Sequence, residues 1–250
     1  MSEIAGNTYN AVILLSSLSF VTTWIGVSLA LRFRENKHGI TVGIGFSAGI
    51  MILISFIELI PESISLAGIW LTFVSFAAGI GLIWALNLII PHTHLADESG
   101  AIGKTAIKSA YLIVFGLILH DVPEGFAMAN SYIASPRLGL MVALAIAFHN
   151  IPEEFAMAVP IVPLHRPVFL YVSAFLSAMA EPVGAILGLV AVDINPALNP
   201  LFMAFAAGAM VFISFHELLP MARRYGNPAL FGAGALCALV AHWLLNVMIA

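Results

Sequence analysis

The chain has 250 residues, of which 61% are hydrophobic and only 9% are charged, and its mean hydropathy is +1.04. A soluble domain carries roughly 25% charged residues, so this composition excludes an ordinary soluble fold and predicts that lipid is the solvent. The single cysteine, Cys237, excludes both a disulfide framework and a cluster of thiolate metal ligands. Residues 1–10 contain no Lys or Arg, so we expect no cleaved signal peptide.

Apolar runs separated by charged or turn-forming residues predict eight transmembrane helices, because about 20 apolar residues cross the hydrocarbon of a bilayer. The predicted spans are 9–31, 40–62, 67–90, 106–131, 137–161, 167–191, 199–220 and 228–249. The longest polar segment, about 91–105, is the predicted cytosolic loop. We therefore expect an all-α integral membrane protein whose single transmembrane domain occupies residues 1–250.

The basic residues predict the orientation of these helices, since cytoplasmic connections carry an excess of Lys and Arg. Alternate connections hold Arg32, Arg34, Lys37, Lys104, Lys108, Arg166, Arg223 and Arg224. The opposite connections and both termini hold only Arg137. This asymmetry favours eight spans in a plasma or inner membrane, with both termini outside the cytoplasm.

Two segments of the chain repeat each other. FSAGIMILISFIELIP begins at Phe46 and FAAGAMVFISFHELLP begins at Phe205, and they match at ten of sixteen positions. They fall in the second and seventh spans, which the orientation above predicts to run in opposite directions. Similar segments of opposite direction are typical of the inverted repeats of transporters. We therefore expect a 3+2+3 arrangement in which the first three spans mirror the last three.

The fourth and fifth spans carry a second pair of related segments, HDVPEGFAMA from His120 and HNIPEEFAMA from His149. With the sixth span, they place seven residues able to bind metal near mid-membrane depth. These are His120, Asp121, Glu124, His149, Asn150, Glu153 and Glu181. Ionisable side chains in a membrane cost several kcal/mol unless they are compensated. A bound cation is the simplest compensation for all seven.

The spacing of these residues indicates the metal. His and Glu at positions i and i+4 lie on one helix face, so His120 with Glu124 and His149 with Glu153 form two two-ligand pairs. Imidazole nitrogen with carboxylate oxygen suits zinc and similar transition metals. Asp121, Asn150 and Glu181 can form an adjoining oxygen-rich site that Glu124 and Glu153 bridge.

HDVPEG, HNIPE and the pair Glu181–Pro182 resemble the motifs of the ZIP (Zrt-, Irt-like protein) family of metal transporters. The resemblance covers all eight spans and implies transport of zinc, and in some branches iron, manganese or cadmium, toward the cytoplasm. It implies the same two metal sites, with Met51 as a soft neighbour of the first. The family's fifth-span motif usually ends in Gly, where this chain has Glu154, which can add a ligand, face a neighbouring helix or alter selectivity.

Other polar residues near the ends of the predicted helices have either a functional or a purely structural interpretation. His216 and Glu217 lie near the inner end of the seventh span, where they can receive an exiting ion or simply meet water. Glu58 and Glu62 lie near the outer end of the second span, where they can gather cations at an entrance or be solvated. We interpret His242 as a structural or interfacial residue.

Three functions are compatible with this sequence. The leading hypothesis is a transporter that carries Zn²⁺ as its substrate by alternating access. Under this hypothesis the protein is not an enzyme. An intramembrane zinc-dependent hydrolase would use the same ligands around an activated water, but the metalloprotease pattern HExxH is absent. A proton or sodium carrier would not need the paired histidines. We expect the protein to interact with divalent metal ions and the lipid bilayer, and not with nucleic acid. A homodimer is one oligomeric state compatible with the sequence.

Overall fold

The protein is helical throughout the part of the chain that the computed structural model describes, which is residues 2–89, 118, 121–225 and 228–249. Seven helices in these ranges are long and apolar enough to cross a membrane. An eighth, residues 121–134, covers the later part of the predicted fourth span. The prediction of an all-α, multi-pass membrane protein is therefore confirmed. The predicted loop at 91–105 lies outside the described residues.

We number the helices in chain order. Helix α1 comprises Ser2–Ser16 and Leu18–Phe33, α2 comprises Lys37–Leu53, Ile54–Leu59 and Ile60–Ala67, and α3 is Ile69–Ile89. Helix α4 is residues 121–134, α5 is Pro136–Ala158, followed by the short turn Val162–Leu164, and α6 is Pro167–Ile194. Helix α7 comprises Leu198–Ile213, Ser214–Leu218 and Leu219–Tyr225, and α8 is Pro228–Ile249.

The surface of the described chain is apolar and much of its interior is polar. Trp70, Val168 and Met248 are 80%, 74% and 81% exposed, while Glu124 and His149 are both fully buried. In a water-soluble protein, large apolar side chains are mostly buried and charged side chains are mostly exposed. Lipid accepts the exposed apolar side chains, and the helices shelter the polar ones from it. The pattern of burial thus agrees with the composition.

Helices α2 and α7 each contain one π-helical segment, Ile54–Leu59 and Ser214–Leu218. Within them the backbone N–H of Ile60 bonds to the carbonyl of Ser55, and that of Leu219 bonds to the carbonyl of Ser214. A proline follows each segment, Pro61 and Pro220. Proline donates no N–H and clashes with the carbonyl four residues earlier, and the wider turn before it relieves that clash. Both segments fall at equivalent positions of the sequence repeat.

The two repeated segments cross each other in opposite directions. Ser63 Oγ donates to the carbonyl of Pro200 at 2.7 Å, whereas Ser214 Oγ, later in the chain, lies 3.7 Å from Met51 Sδ, earlier in the chain. Helix α2 also packs along α8, and α7 packs along α3. The antiparallel crossing and the matched pairs support an inverted repeat. The 3+2+3 grouping stays a prediction.

We predict that Gly79→Ala destabilises the protein, because the backbones of α3 and α7 lie close together there. A Cβ atom added at Gly79 would lie 2.0 Å from the carbonyl oxygen of Phe205. Overpacking of this kind costs about 1–3 kcal/mol, so the melting temperature of the purified protein in detergent should fall. The matched control is Gly81→Ala on the same helix, where a Cβ would meet nothing within 4 Å. An equal melting temperature for the two variants would contradict this packing.

Candidate metal centre

Helices α4 and α6 approach each other closely, and this approach positions the carboxylates of the site. A Cβ atom at Gly125 would lie 2.1 Å from the carbonyl oxygen of Glu181, and one at Gly184 would lie 2.2 Å from that of Val122. Only glycine allows backbones to come this near. Glu181 is consequently held alongside the turn of α4 that carries Glu124.

Three predicted ligands, Glu124, His149 and Glu153, converge in the interior. Nε2 of His149 lies 3.0 Å from Oε1 of Glu124 and 3.6 Å from Oε2 of Glu153. One ligand atom from each residue lies within 4.8 Å of the other two, and all three side chains are buried. A tetrahedral zinc ion with bonds of 2.0–2.2 Å separates two ligand atoms by about 3.3 Å. The observed distances bracket this value, so the group has the dimensions of a zinc site.

The histidine ring is oriented by a backbone contact. Nδ1 of His149 lies 3.1 Å from the carbonyl oxygen of Ala145, one turn earlier on the same helix. That carbonyl can only accept a hydrogen bond, so Nδ1 donates to it. Nε2, on the other side of the ring, is thereby directed at the carboxylates of Glu124 and Glu153. Metal-binding histidines usually have this arrangement, in which the second nitrogen donates to a carbonyl or carboxylate.

A helix outside the motif pair supports the same histidine. Ser47 Oγ of α2 donates to the backbone carbonyl of His149 at 2.8 Å, and a Cβ at Gly43 would meet the ring of Pro152. Helix α2 thus packs on α5 at the proline that interrupts its hydrogen bonding. Sequence reasoning missed Ser47, because a serine in an apolar helix carries no local signal of its partner.

Two of the three residues predicted for the oxygen-rich site lie together. The side-chain amide of Asn150 donates to Oε1 of Glu181, and both residues are 5% exposed. This contact joins α5 to α6 next to the group formed by Glu124, His149 and Glu153. Its oxygen atoms suit harder cations than the imidazole does.

Asp121, the third predicted member, belongs to a separate set of polar contacts with Ser177 and Glu154. Ser177 Oγ lies within hydrogen-bonding distance of both Asp121 Oδ2 and Glu154 Oε1, the latter at 2.6 Å. Thr23 Oγ1 of α1 also donates to Glu154 Oε1 at 3.2 Å. Glu154 is 3% exposed and faces α1 and α6. Among the alternatives for this residue, the structure therefore favours contact with neighbouring helices.

The remaining predicted residues have other contacts. Met51 is fully buried where α2 crosses α7, beside Ser214. His216 is exposed and its ring stacks on Phe212, with centroids 4.8 Å apart, while Glu217 is partly buried in the π-helical segment of α7. His120 lies outside the described residues.

We predict that Glu154→Gln weakens zinc binding about tenfold. Glutamine keeps the shape of the side chain and an oxygen for Thr23 and Ser177, but it removes a carboxyl group that could ionise to balance a cation bound beside Glu153. Charges interact strongly where water is excluded, so calorimetric titration of the purified protein should report the loss. Glu35→Gln removes the same charge from an exposed position and should leave the affinity unchanged. Equal affinities for both variants would show that Glu154 does not act on the ion.

The chain is similar to known proteins over most of its length. The family model described as ZIP Zinc transporter matches residues 92–237, more than half of the chain. The zinc transporter ZupT of Chlorobium phaeovibrioides is 34% identical over an alignment covering 98% of this chain and 100% of that protein. ZupT of Chlorobium limicola is 38% identical, with 88% and 91% covered, and ZupT of Clostridium perfringens is 34% identical, with 94% and 95% covered.

The three alignments with ZupT extend across most of this chain and most of each relative. The segment that the family model matches contains HDVPEG, HNIPE and the pair Glu181–Pro182. The described part of the chain places Glu124, His149 and Glu153 of these motifs in one buried group. The chain therefore belongs to the ZIP family, whose members are transporters rather than enzymes.

Proposed function

We propose that this protein carries divalent metal cations, zinc first, across a cell membrane into the cytoplasm by alternating access. The observation that carries the proposal is the buried group of Glu124, His149 and Glu153 inside a bundle of membrane-spanning helices. Water-excluded carboxylates attract a cation strongly, and an imidazole among them favours a transition metal over magnesium or calcium. Iron, manganese and cadmium are further candidate substrates.

The proposed metal centre has two parts. The first uses Glu124, His149 and Glu153 with His120, and Met51 adds a soft neighbour. The second uses Asp121, Asn150 and Glu181, and the two bridging glutamates are shared between the sites. The contact of Asn150 with Glu181 and the burial of Asp121 support this division.

The proposed path runs from outside to inside. The ion sheds its water at the central ligands and then leaves through α7, where Glu217 and the exposed ring of His216 offer a weaker station. Conduction requires sites that bind well enough for the ion to enter and weakly enough for it to leave. This direction assumes that both termini lie outside the cytoplasm and that residues 91–105 lie inside, as the basic residues indicate. The homodimer stays a prediction from the sequence.

The alternative functions have less support. A hydrolase would need a zinc-bound water and a separate base, and no observation on this chain favours it over transport. A carrier of protons or sodium would need oxygen atoms only, whereas the central group has the imidazole Nε2 directed at two carboxylates.

We predict that Glu153→Ala abolishes zinc uptake. The substitution removes a ligand of the central group and the proposed bridge to the second site, so uptake into proteoliposomes should fall on the order of 100-fold or more. Glu153→Gln should fail similarly, because it keeps the shape but not the charge. Glu35→Ala, at an exposed position, is the control. Near-normal uptake by a folded Glu153→Ala protein would overturn the assignment.

We also predict that a cysteine introduced by Ser99→Cys, with Cys237→Ser as the background, resists a membrane-impermeant thiol reagent in intact cells. Position 99 falls in the proposed cytosolic loop, so the membrane should protect it. Ser2→Cys in the same background should be labelled, because the amino terminus is proposed to lie outside. The reverse labelling pattern would invert the orientation and the proposed direction of transport.

A further inference from the structure

We propose that Glu58, His242 and Asn246 form a second, weaker transition-metal station between the outer ends of α2 and α8 and the central group. This inference deepens the proposed function by naming where the ion binds before it reaches the centre. The three residues come from two helices that are far apart in the sequence, and the structure brings them together. Glu58 lies in the π-helical segment of α2, and such segments are frequent at functional sites.

The distances within the cluster are those of metal ligands. Nε2 of His242 lies 3.3 Å from Oε1 of Glu58, which equals the separation of about 3.3 Å between two ligand atoms of tetrahedral zinc. Despite this proximity, His242 Nε2 makes no hydrogen bond of acceptable geometry with any described residue. The imidazole and the carboxylate therefore converge without a well-formed hydrogen bond between them, and a shared cation would satisfy both.

Asn246 can complete the set. Its side-chain nitrogen lies 3.5 Å from Glu58 Oε1 and 3.5 Å from Nδ1 of His242, one turn earlier on α8. Both contacts are at the limit of hydrogen bonding, and the oxygen and nitrogen of an amide can be exchanged by rotating the group. After such a rotation, the amide oxygen of Asn246 would face Oε1 of Glu58. Two oxygen acceptors repel each other, so this orientation would be favourable only with a cation between them. One nitrogen and two oxygen donors suit zinc and its neighbours better than calcium or magnesium.

The cluster is sheltered but reachable. The side chains of His242 and Glu58 are 5% and 15% exposed. Glu58 lies eleven residues beyond Ser47, which contacts the backbone of His149, and so is about 16 Å from that level at 1.5 Å per residue. Glu58 also lies nine residues, about 13 Å, before the end of α2 at Ala67. The station is thus roughly midway between the end of α2 and the central group.

The sequence repeat shows that His242 has no histidine at the equivalent position of the other half of the molecule. At the repeat spacing of 159 residues, Trp243 and Asn246 of α8 correspond to Trp84 and Asn87 of α3, but His242 corresponds to Ile83. Packing between α2 and α8 therefore does not require an imidazole, since the equivalent pair of helices manages with isoleucine. A carboxylate with only one imidazole and one amide binds more weakly than the central group, as an entry station must.

The first test uses cobalt as a spectroscopic probe on the purified full-length protein. In a background of Glu124→Ala with Glu153→Ala, which disables the central group, we expect His242→Gln to lower the bound Co²⁺ by one ion per protein. Glu35→Gln is the control, because it deletes an exposed carboxylate outside the cluster and should leave the Co²⁺ bound. If His242→Gln and Glu35→Gln retain the same amount of Co²⁺, the station does not exist.

The second test leaves the central group intact and measures zinc uptake. Glu58→Gln and His242→Gln should each raise the half-saturating zinc concentration about tenfold without lowering the maximal rate. The double variant should be no worse than either single one, because both residues act at one site. His242→Cys should restore the affinity, since a thiolate binds zinc but cannot replace an imidazole in a structural contact.

The two tests separate the station from the proposed function. Cobalt binding at His242 in a protein that transports no metal would refute transport and leave the station standing. Normal zinc uptake with an unchanged half-saturating concentration in Glu58→Gln, His242→Gln and the double variant would refute the station and leave transport standing. A lower maximal rate with a lower melting temperature would show that the contact between Glu58 and His242 only holds the helices together.

Discussion

The cost of placing charge in hydrocarbon governs this structure. Asp121, Glu124, Glu153, Glu154 and Glu181 are all buried among the described helices, and His149 is the fully buried imidazole that faces them. Each isolated ionised carboxylate would cost several kcal/mol in a bilayer, so the helices must shelter these groups and give them polar partners. The close approach of α4 to α6, the serine that supports His149 and the polar contacts of Glu154 all follow from that requirement.

The sequence predicts the parts of this arrangement that depend on local order along one helix. The apolar runs define the membrane spans, and the spacing of His149 and Glu153 places both on one face of α5 regardless of the neighbouring helices. Histidine, proline and glutamate together in a lipid-embedded segment are rare enough to indicate the metal centre before any contact is known. The structure adds the distances that bring the predicted Glu124 of α4 to His149 of α5, and the contact of Nδ1 with the carbonyl of Ala145.

Contacts that depend on the register between helices were beyond the sequence. A π-helical turn contains an extra residue, which rotates every later side chain relative to a regular helix. The sequence signals only the proline that follows, so the direction of Glu58 toward His242 could not be predicted. Ser177 lies four residues before Glu181 on α6, a spacing that marks one helix face, but nothing in that spacing shows that it would meet Glu154 of α5.

The helix pairs of the described protein form two sets, which meet where α2 packs on α5 at Ser47 and Gly43. Helices α2, α3, α7 and α8 are joined by the pairs α2 with α8, α3 with α7 and α2 with α7. The ligands of the central group lie on α4 and α5, which are tied by Glu154, Thr23 and the Ser19 contact with the carbonyl of Ala178 to α1 and α6. If one set slid along the other, the contact of Ser47 with the carbonyl of His149 would have to break, whereas Glu124, His149 and Glu153 all lie within one set and would move as a unit.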